Sequence, residues 1–164
     1  MKIGVVSDTH GRLEITQKAI HLLRERRAEL ILHCGDIDCP KTVRLFSSIP
    51  SHFVFGNWDL RPARLKSAIA EIGGVWHEEI GRLDVAEKRV AWVHGHIAGQ
   101  RQRLETSGEF DFLFYGHSHK AEVHRAGRTL VANPGALYRA KTKTVLLIDL
   151  TTGKWETLVV DGQS

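Results

Sequence analysis

Apolar residues in the first half of the chain fall into short runs separated by amphipathic stretches. The run at 2–7 predicts a strand, and segment 12–27 a helix whose Leu13, Ile20, Leu23 and Leu30 lie close to helical spacing. Leu30 to Cys34 predicts a second strand ending in Gly-Asp, and a short helix follows Pro40. A third strand, His52 to Phe55, leads into Gly-Asn. A helix near 62–72 opens with Pro62, whose fixed φ suits a first helical turn, and stops at Gly73-Gly74.

The second half changes character. Val75–Ile80, Leu83–Ala86 and Val90–Val93 read as short strands, with Glu87-Lys88 as a hairpin tip. A helix near 98–106 precedes a strand at Phe112–Tyr115, and further strands are expected near 121–125, 128–132, 143–149 and 155–160. Ala126-Gly127 and Thr152-Gly153 mark tight turns. β-α-β alternation at the front and hairpins at the back predict a mixed α/β layered fold, two packed sheets flanked by helices.

A length of 164 residues suits one domain, expected to span 1–164. At that size folding buries about 70% of the unfolded surface, so one ordinary core suffices without disulfides. Cys34 lies in an apolar run and reads as a small buried hydrophobe, while Cys39 sits in a loop before Pro40. Neither belongs to a disulfide framework, which fits a reducing compartment. The apolar stretch before Asp8 is too short for a signal-peptide core, and no later run approaches the ~20 apolar residues of a membrane span. The protein is therefore expected to be cytoplasmic, mature as written and without a membrane partner. The formal charge is +4, but the Lys and Arg residues are scattered, as at Arg24, Arg26, Arg27, Arg101 and Arg103. They read as solvated helix faces, so a phosphorylated small molecule is a better expected partner than nucleic acid. A homo-oligomer is compatible with the chain.

The chemistry lies where polar residues fall. Five predicted strands end in metal-type side chains: Ser7-Asp8-Thr9-His10, Gly35-Asp36-Ile37-Asp38, Gly56-Asn57-Trp58-Asp59, His94-Gly95-His96 and Gly116-His117-Ser118-His119. Layered α/β folds gather ligand sites at the carboxyl ends of strands, so these loops converge on one crevice. Each cluster has an ordinary alternative. Asp8 could be an N-cap, and the Asp36 and Asn57 segments could be Asx turns. Closely spaced imidazoles are harder to dismiss, because they serve divalent metals well. Five such endings in one chain favour a shared metal site over five separate turns.

The ordered set DTHG, GD, GN-x-D, HGH and GHSH resembles the calcineurin-like metallophosphoesterase superfamily, in particular its small bacterial and archaeal phosphodiesterase branch. That branch shares its fold with the small metallophosphoesterase-like subunit of retromer. The likeness extends to Asn133-Pro134-Gly135. It implies an α-β-β-α sandwich of two mixed sheets and two adjacent metal sites. Asp8, His10, Asp36 and His119 would hold one ion; Asp36, Asn57, His94 and His117 would hold the other, with Asp36 bridging. The donor set suits transition metals better than Ca or Mg; Mn is expected first, with Fe, Zn, Co or Ni as alternatives. A metal-bridging hydroxide, not Ser7 or Ser118, is the nucleophile such a site implies for in-line attack on phosphorus.

One departure stands out. Many superfamily members carry His after the GN motif to protonate the leaving oxygen, and the small branch usually Cys; here Trp58 occupies that place. An indole donates a hydrogen bond but is no acid at neutral pH. A proton would then come from water or from His96, or is not needed for good leaving groups; His96 reads otherwise as a support that orients another ligand. Asp38 and Asp59 read as turn residues with a possible supporting role. Arg12 and Arg61 read as helix termini that could meet substrate phosphate. His21, His33, His52, His77 and His124 read as surface or core histidines. The expected function is a metal-dependent phosphohydrolase, a phosphodiesterase before a monoesterase. The alternatives are a catalytically weak scaffold of the same fold, against which His10 argues, and a nucleic-acid-processing phosphoesterase, which lacks a coherent basic stripe.

Overall fold

Residues 1–160 are described by a computed structural model; residues 161–164 of the expected 1–164 domain lie outside the described residues. Four strands run parallel in the first sheet: β1 (Lys2–Val6), β2 (Leu30–His33), β3 (Ser51–Phe53) and β4 (Val75–Trp76). β10 (Thr144–Asp149) pairs antiparallel with β1, and β11 (Trp155–Val159) closes that edge, giving the order β11-β10-β1-β2-β3-β4. The second sheet has the order β5-β6-β7-β9-β8, built from β5 (Ile80–Val85), β6 (Lys88–Val93), β7 (Phe112–Phe114), β8 (Glu122–Ala126) and β9 (Thr129–Asn133). Its central strands β6, β7 and β9 are parallel, with antiparallel strands at both edges.

Strand alternation explains the layers. In β1, Ile3 and Val5 face the second sheet, where they join Leu30, Leu32, Trp92 and Phe114 in a buried layer. Each such side chain contributes about 1.5–3 kcal/mol by leaving water. Val6, on the opposite face, packs with Leu23, Phe46 and Leu65 beneath α1 (Leu13–Glu25), α2 (Pro40–Arg44) and α3 (Pro62–Glu71). A Cβ on Gly4 would lie 2.7 Å from Leu23 Cδ1, so the missing side chain lets α1 approach the sheet. A third cluster, with Val93, Leu113 and Val131, covers the outer face of the second sheet together with Leu104 of α4 (Gln100–Thr106). The result is the mixed two-sheet fold with flanking helices. No helix among the described residues is long and apolar enough to cross a membrane.

Three local differences from the sequence reading have physical causes. The buried stripe of α1 is Thr16, Ala19, Ile20 and Leu23, whereas Leu13 is exposed and Leu30 belongs to β2. Arg27 ends the helix in a left-handed conformation. Val75–Ile80 is not one strand: Val75–Trp76 pairs with β3 in the first sheet, while Ile80 opens β5 in the second. The hairpin tip is Ala86-Glu87, one residue earlier than expected. Both residues have positive φ (50° and 58°), as a two-residue type I′ turn requires, without the usual Gly or Asn to signal it.

Candidate metal centre

The carboxyl ends of β1, β2 and β3 meet those of β6 and β7 across the inter-sheet layer, and the five loops converge there. Asp8 and Asp36 are buried, with 0% and 2% exposure. The Asp36 carboxylate is divided in use. Its Oδ1 accepts the Trp58 N–H at 2.9 Å, while Oδ2 lies 3.3 Å from His10 Nε2 and 3.3 Å from His94 Nε2. Asp8 Oδ2 accepts the His117 backbone N–H at 3.1 Å. Asp8 Oδ1 is buried without a hydrogen-bond donor and faces His119 Nε2 at 3.1 Å and His10 Nε2 at 4.0 Å.

The tautomer of His94 is informative. Its Nδ1 lies 2.9 Å from the Cys34 carbonyl, which can only accept, so Nδ1 carries a proton. In the neutral ring Nε2 then presents a lone pair toward Asn57 Oδ1 at 3.1 Å and Asp36 Oδ2 at 3.3 Å. Three electron-rich atoms around one point call for a cation. The ligand atoms of Asp8, His10 and His119 lie within 4.8 Å of one another, as do those of Asp8, Asp36 and His94. These donors fit divalent transition metals, and the unpartnered Asp8 oxygen is the acceptor such an ion would satisfy.

Protons fill the same need electrostatically. Burial alone would raise the Asp36 carboxyl, but hydrogen bonds from His10 and His94 and the nearby charge hold it well below the usual carboxylate range. Burial opposes charging of His94, yet the Asp36 hydrogen bond and charge overcome it and raise its pKa. The Asp8 carboxylate facing its Nε2, opposed by desolvation, raises His119.

All seven expected ligands gather at this crevice: the His117 ring stands 5.0 Å from that of His94. The His96 ring is 5.3 Å from His94 and 6.3 Å from His117, but it lines a neighbouring concavity with Glu79 and Arg82. Burial, then the charges of His94 and His117, push its pKa down. Trp58 is 54% exposed, its ring 6.2 Å from that of His10. Arg12 lines the crevice, whereas Arg61 stands at the N-cap of α3.

Two supports exceed what the sequence reading assigned. Asp59 accepts four backbone N–H groups, from Asp36, Ile37, Asp38 and Gly56, at 2.7–2.9 Å. Burial pushes its pKa up, while those hydrogen bonds pull the other way. His33, a core histidine as one of its two readings had it, receives the Gly35 N–H on Nδ1 at 3.1 Å. Its Nε2–H therefore donates to Thr9 Oγ1 at 3.1 Å, and the Thr9 hydroxyl donates to the Asp36 carbonyl at 3.3 Å. Desolvation lowers the His33 pKa to about 3, which keeps this ring neutral and its tautomer constant. Asn133 secures the last loop by donating to the Gly116 carbonyl and Ser118 Oγ, both at 3.0 Å.

The backbone itself is strained here. Asp8, His10, Asp36, His117 and His119 all adopt positive φ, between 42° and 67°. Such conformations cost non-glycine residues about 1–3 kcal/mol each and cluster at functional sites. Gly56 and Gly116 allow the close approach: a Cβ on either would overlap the Asp36 carboxylate or Ser7 Oγ, respectively. Sequence reasoning missed Tyr138 and Arg139, which also line the crevice. They follow Asn133-Pro134-Gly135 closely but carry no metal-type pattern of their own that would have signalled them.

The calcineurin-like phosphoesterase superfamily domain matches residues 1–153. The chain is 26% identical over 167 residues to the phosphodiesterase MJ0936 of Methanocaldococcus jannaschii, covering 98% of this chain and 100% of that protein. A solved archaeal phosphodiesterase structure superposes with a TM-score of 0.91 at 26% identity, covering 97% of this chain and 99% of the other. Vacuolar protein sorting 29 of Cryptosporidium parvum shares the fold, with a TM-score of 0.70 at 19% identity, covering 96% and 95%.

Proposed function

The chain belongs to the calcineurin-like phosphoesterase superfamily, and from that premise we propose that it is a phosphodiesterase working with two divalent transition-metal ions, Mn foremost. Asp8, His10, Asp36 and His119 would hold one ion, and Asp36, Asn57, His94 and His117 the other. The observation that carries this reading is Asp36 Oδ2, equally distant at 3.3 Å from an imidazole of each set, as a bridging carboxylate requires. Bound ions would supply Lewis-acid polarisation of a phosphoryl oxygen and a water of lowered pKa.

The chain's own residues do the rest. Asp59 holds the N–H groups of the Asp36 loop, so the carboxylate meets both imidazole sets without searching for its geometry. The Cys34 carbonyl orients His94 with its Nε2 lone pair toward the crevice. Asn57 supplies a neutral amide oxygen where a third carboxylate would add unwanted charge. Trp58 offers the crevice an indole face but no titratable proton. No basic stripe with stacking aromatics supports nucleic-acid processing as the main role, and His10, in contact with Asp36, argues against a ligand-deficient scaffold.

The test is metal analysis paired with hydrolysis of a mono- and diester panel. Chelation should remove diesterase activity, and Mn, Co or Ni should restore it better than Ca. Full activity in a verified metal-free sample would sink the reading.

A further inference from the structure

The crevice around the candidate ligands has a volume of about 370 Å³ and includes His10, Asp36, Trp58 and His119. A second concavity of about 540 Å³ lies against the first turn of α1, lined by Gly11, Leu13, Leu137 and Lys143. The two share three lining residues, Arg12, Tyr138 and Arg139. The Arg12 guanidinium carbon stands 4.5 Å from the Tyr138 ring centroid and that of Arg139 stands 5.1 Å from it. On its inner side the same ring is 4.9 Å from the His10 imidazole. Tyr138 thus connects a candidate metal ligand to two cations.

Those cations are available. Arg12 and Arg139 are both exposed, and neither appears in an ion pair with a carboxylate among the described residues. Elsewhere on this surface Arg44 and Arg128 are neutralised by Glu71 and Asp111 at 2.8 Å. Arg139 is held at a positive φ of 50°. Arg12 is the N-cap of α1 but makes no side-chain cap, so its guanidinium is not committed to the helix, and the positive end of α1 opens into the same outer concavity.

Each guanidinium presents a donor fork suited to phosphate oxygens, and both stand against the one Tyr138 ring. We infer that Arg12, Tyr138 and Arg139 form an anion subsite for a second phosphoryl group of the substrate, so that preferred substrates are phosphodiesters carrying another phosphate beside the one cleaved. This rests on the phosphodiesterase reading. One phosphoryl group sits at the candidate metal centre, and the other lies across Tyr138 toward the outer concavity. The substrate's organic part meets Trp58, which also lines the crevice.

A matched pair of chromogenic esters tests it: thymidine 5′-(p-nitrophenyl phosphate), and the same ester with a 3′-phosphate. With Mn-loaded enzyme, kcat/KM should favour the doubly phosphorylated ester by tenfold or more, through KM. Arg12→Ala and Arg139→Ala should each shrink that ratio severalfold, Tyr138→Phe less, and Arg139→Glu should bring it to one or below. Direct binding gives an independent readout: thymidine 3′,5′-bisphosphate should bind the Mn-loaded protein at least tenfold more tightly than thymidine 5′-monophosphate by calorimetry, with the same dependence on Arg12 and Arg139. Equal efficiency on both esters, or a preference that survives both alanine variants, overturns the subsite while leaving the phosphodiesterase reading intact. Failure to cleave either ester with the binding preference retained overturns the phosphodiesterase reading and keeps the subsite.

Discussion

The loops after β1, β2 and β3 differ from those after β6 and β7 in chemistry and in restraint. The first sheet brings the carboxylates, Asp8 and Asp36, fully buried and locked from below: four N–H groups converge on Asp59, and His33 ties Thr9 to the second loop. The second sheet brings imidazoles. His94 is buried and bonded to Cys34, but His117 is exposed and His119 half-buried. Their loop is held chiefly by Asn133 and by the His117 N–H on Asp8. Buried carboxylates without fixed partners carry a heavy desolvation cost, so the acidic half has to be rigid before any cation arrives. Imidazoles can rest neutral at the surface, and their half tolerates looseness. The centre thus joins a buried, heavily bonded acidic floor to a more exposed and more lightly bonded imidazole wall.

Replacing the shared floor residue should have the largest effect. Asp36→Asn keeps an oxygen for the Trp58 N–H but loses the charge that both imidazole sets face. Hydrolysis should fall by more than about 10³-fold, because a group serving both candidate sites is removed. The chelated protein should still melt cooperatively near the wild-type temperature, since the cluster lies at strand ends. Near wild-type turnover with metal present would break the two-site arrangement.

The difference in restraint can be measured through the two supports. Asp59→Ala leaves four N–H groups without their acceptor and should cost on the order of 3–5 kcal/mol. Asn133→Ala removes two donated bonds and the one accepted from Gly135, and should cost about 1–2 kcal/mol. Urea unfolding of the chelated proteins compares them. An Asn133 variant as damaged as the Asp59 variant would show that the basic wall is equally rigid.

How much of this was legible follows the same division. Metal-type residues at five strand ends could be read from the chain because each cluster is local, and the two sheets follow from runs of apolar residues between turns. The clamp by Asp59 was not legible, since an Asp three residues after Gly56 looks like any turn residue until the Asp36 loop is brought against it. Nor does the sequence announce positive φ at His10, His117 and His119, because even a several-fold enrichment of His in that region leaves most histidines outside it. The break in Val75–Ile80 was hidden for a related reason: one apolar run serves two sheets, and only packing decides where it crosses. Tyr138 and Arg139 lie between Asn133-Pro134-Gly135 and β10, match no ligand pattern of their own, and are brought to the crevice by tertiary structure.

The smallest effect concerns the rim between the two halves, where Trp58 stands at a position at which an acid would serve. The indole is 54% exposed and its ring lies 6.2 Å from that of His10, so it borders the reacting region without a proton to give. His96, the other candidate, lines the adjacent concavity, and its pKa is pushed down by burial and by the charges of His94 and His117. A lowered pKa leaves less of the protonated form at neutral pH. Without a positioned acid, the departing oxygen carries its negative charge into the transition state. Rates should then fall steeply with leaving-group basicity, activated aryl esters being cleaved far faster than alkyl ones. A well-placed general acid is worth about 10²–10⁴-fold, felt most where the leaving group is poor. Trp58→His places an imidazole at the rim without the support that would orient it, so a gain of about tenfold on alkyl esters, and little on aryl esters, is the expected result. The measurement is the slope of log kcat/KM against leaving-group pKa for both proteins. A flat slope in the wild type would mean that an acid is already present, and a slope restored by His96→Ala would identify it as His96, placing the acid on the loosely held imidazole wall instead of at the Trp58 rim.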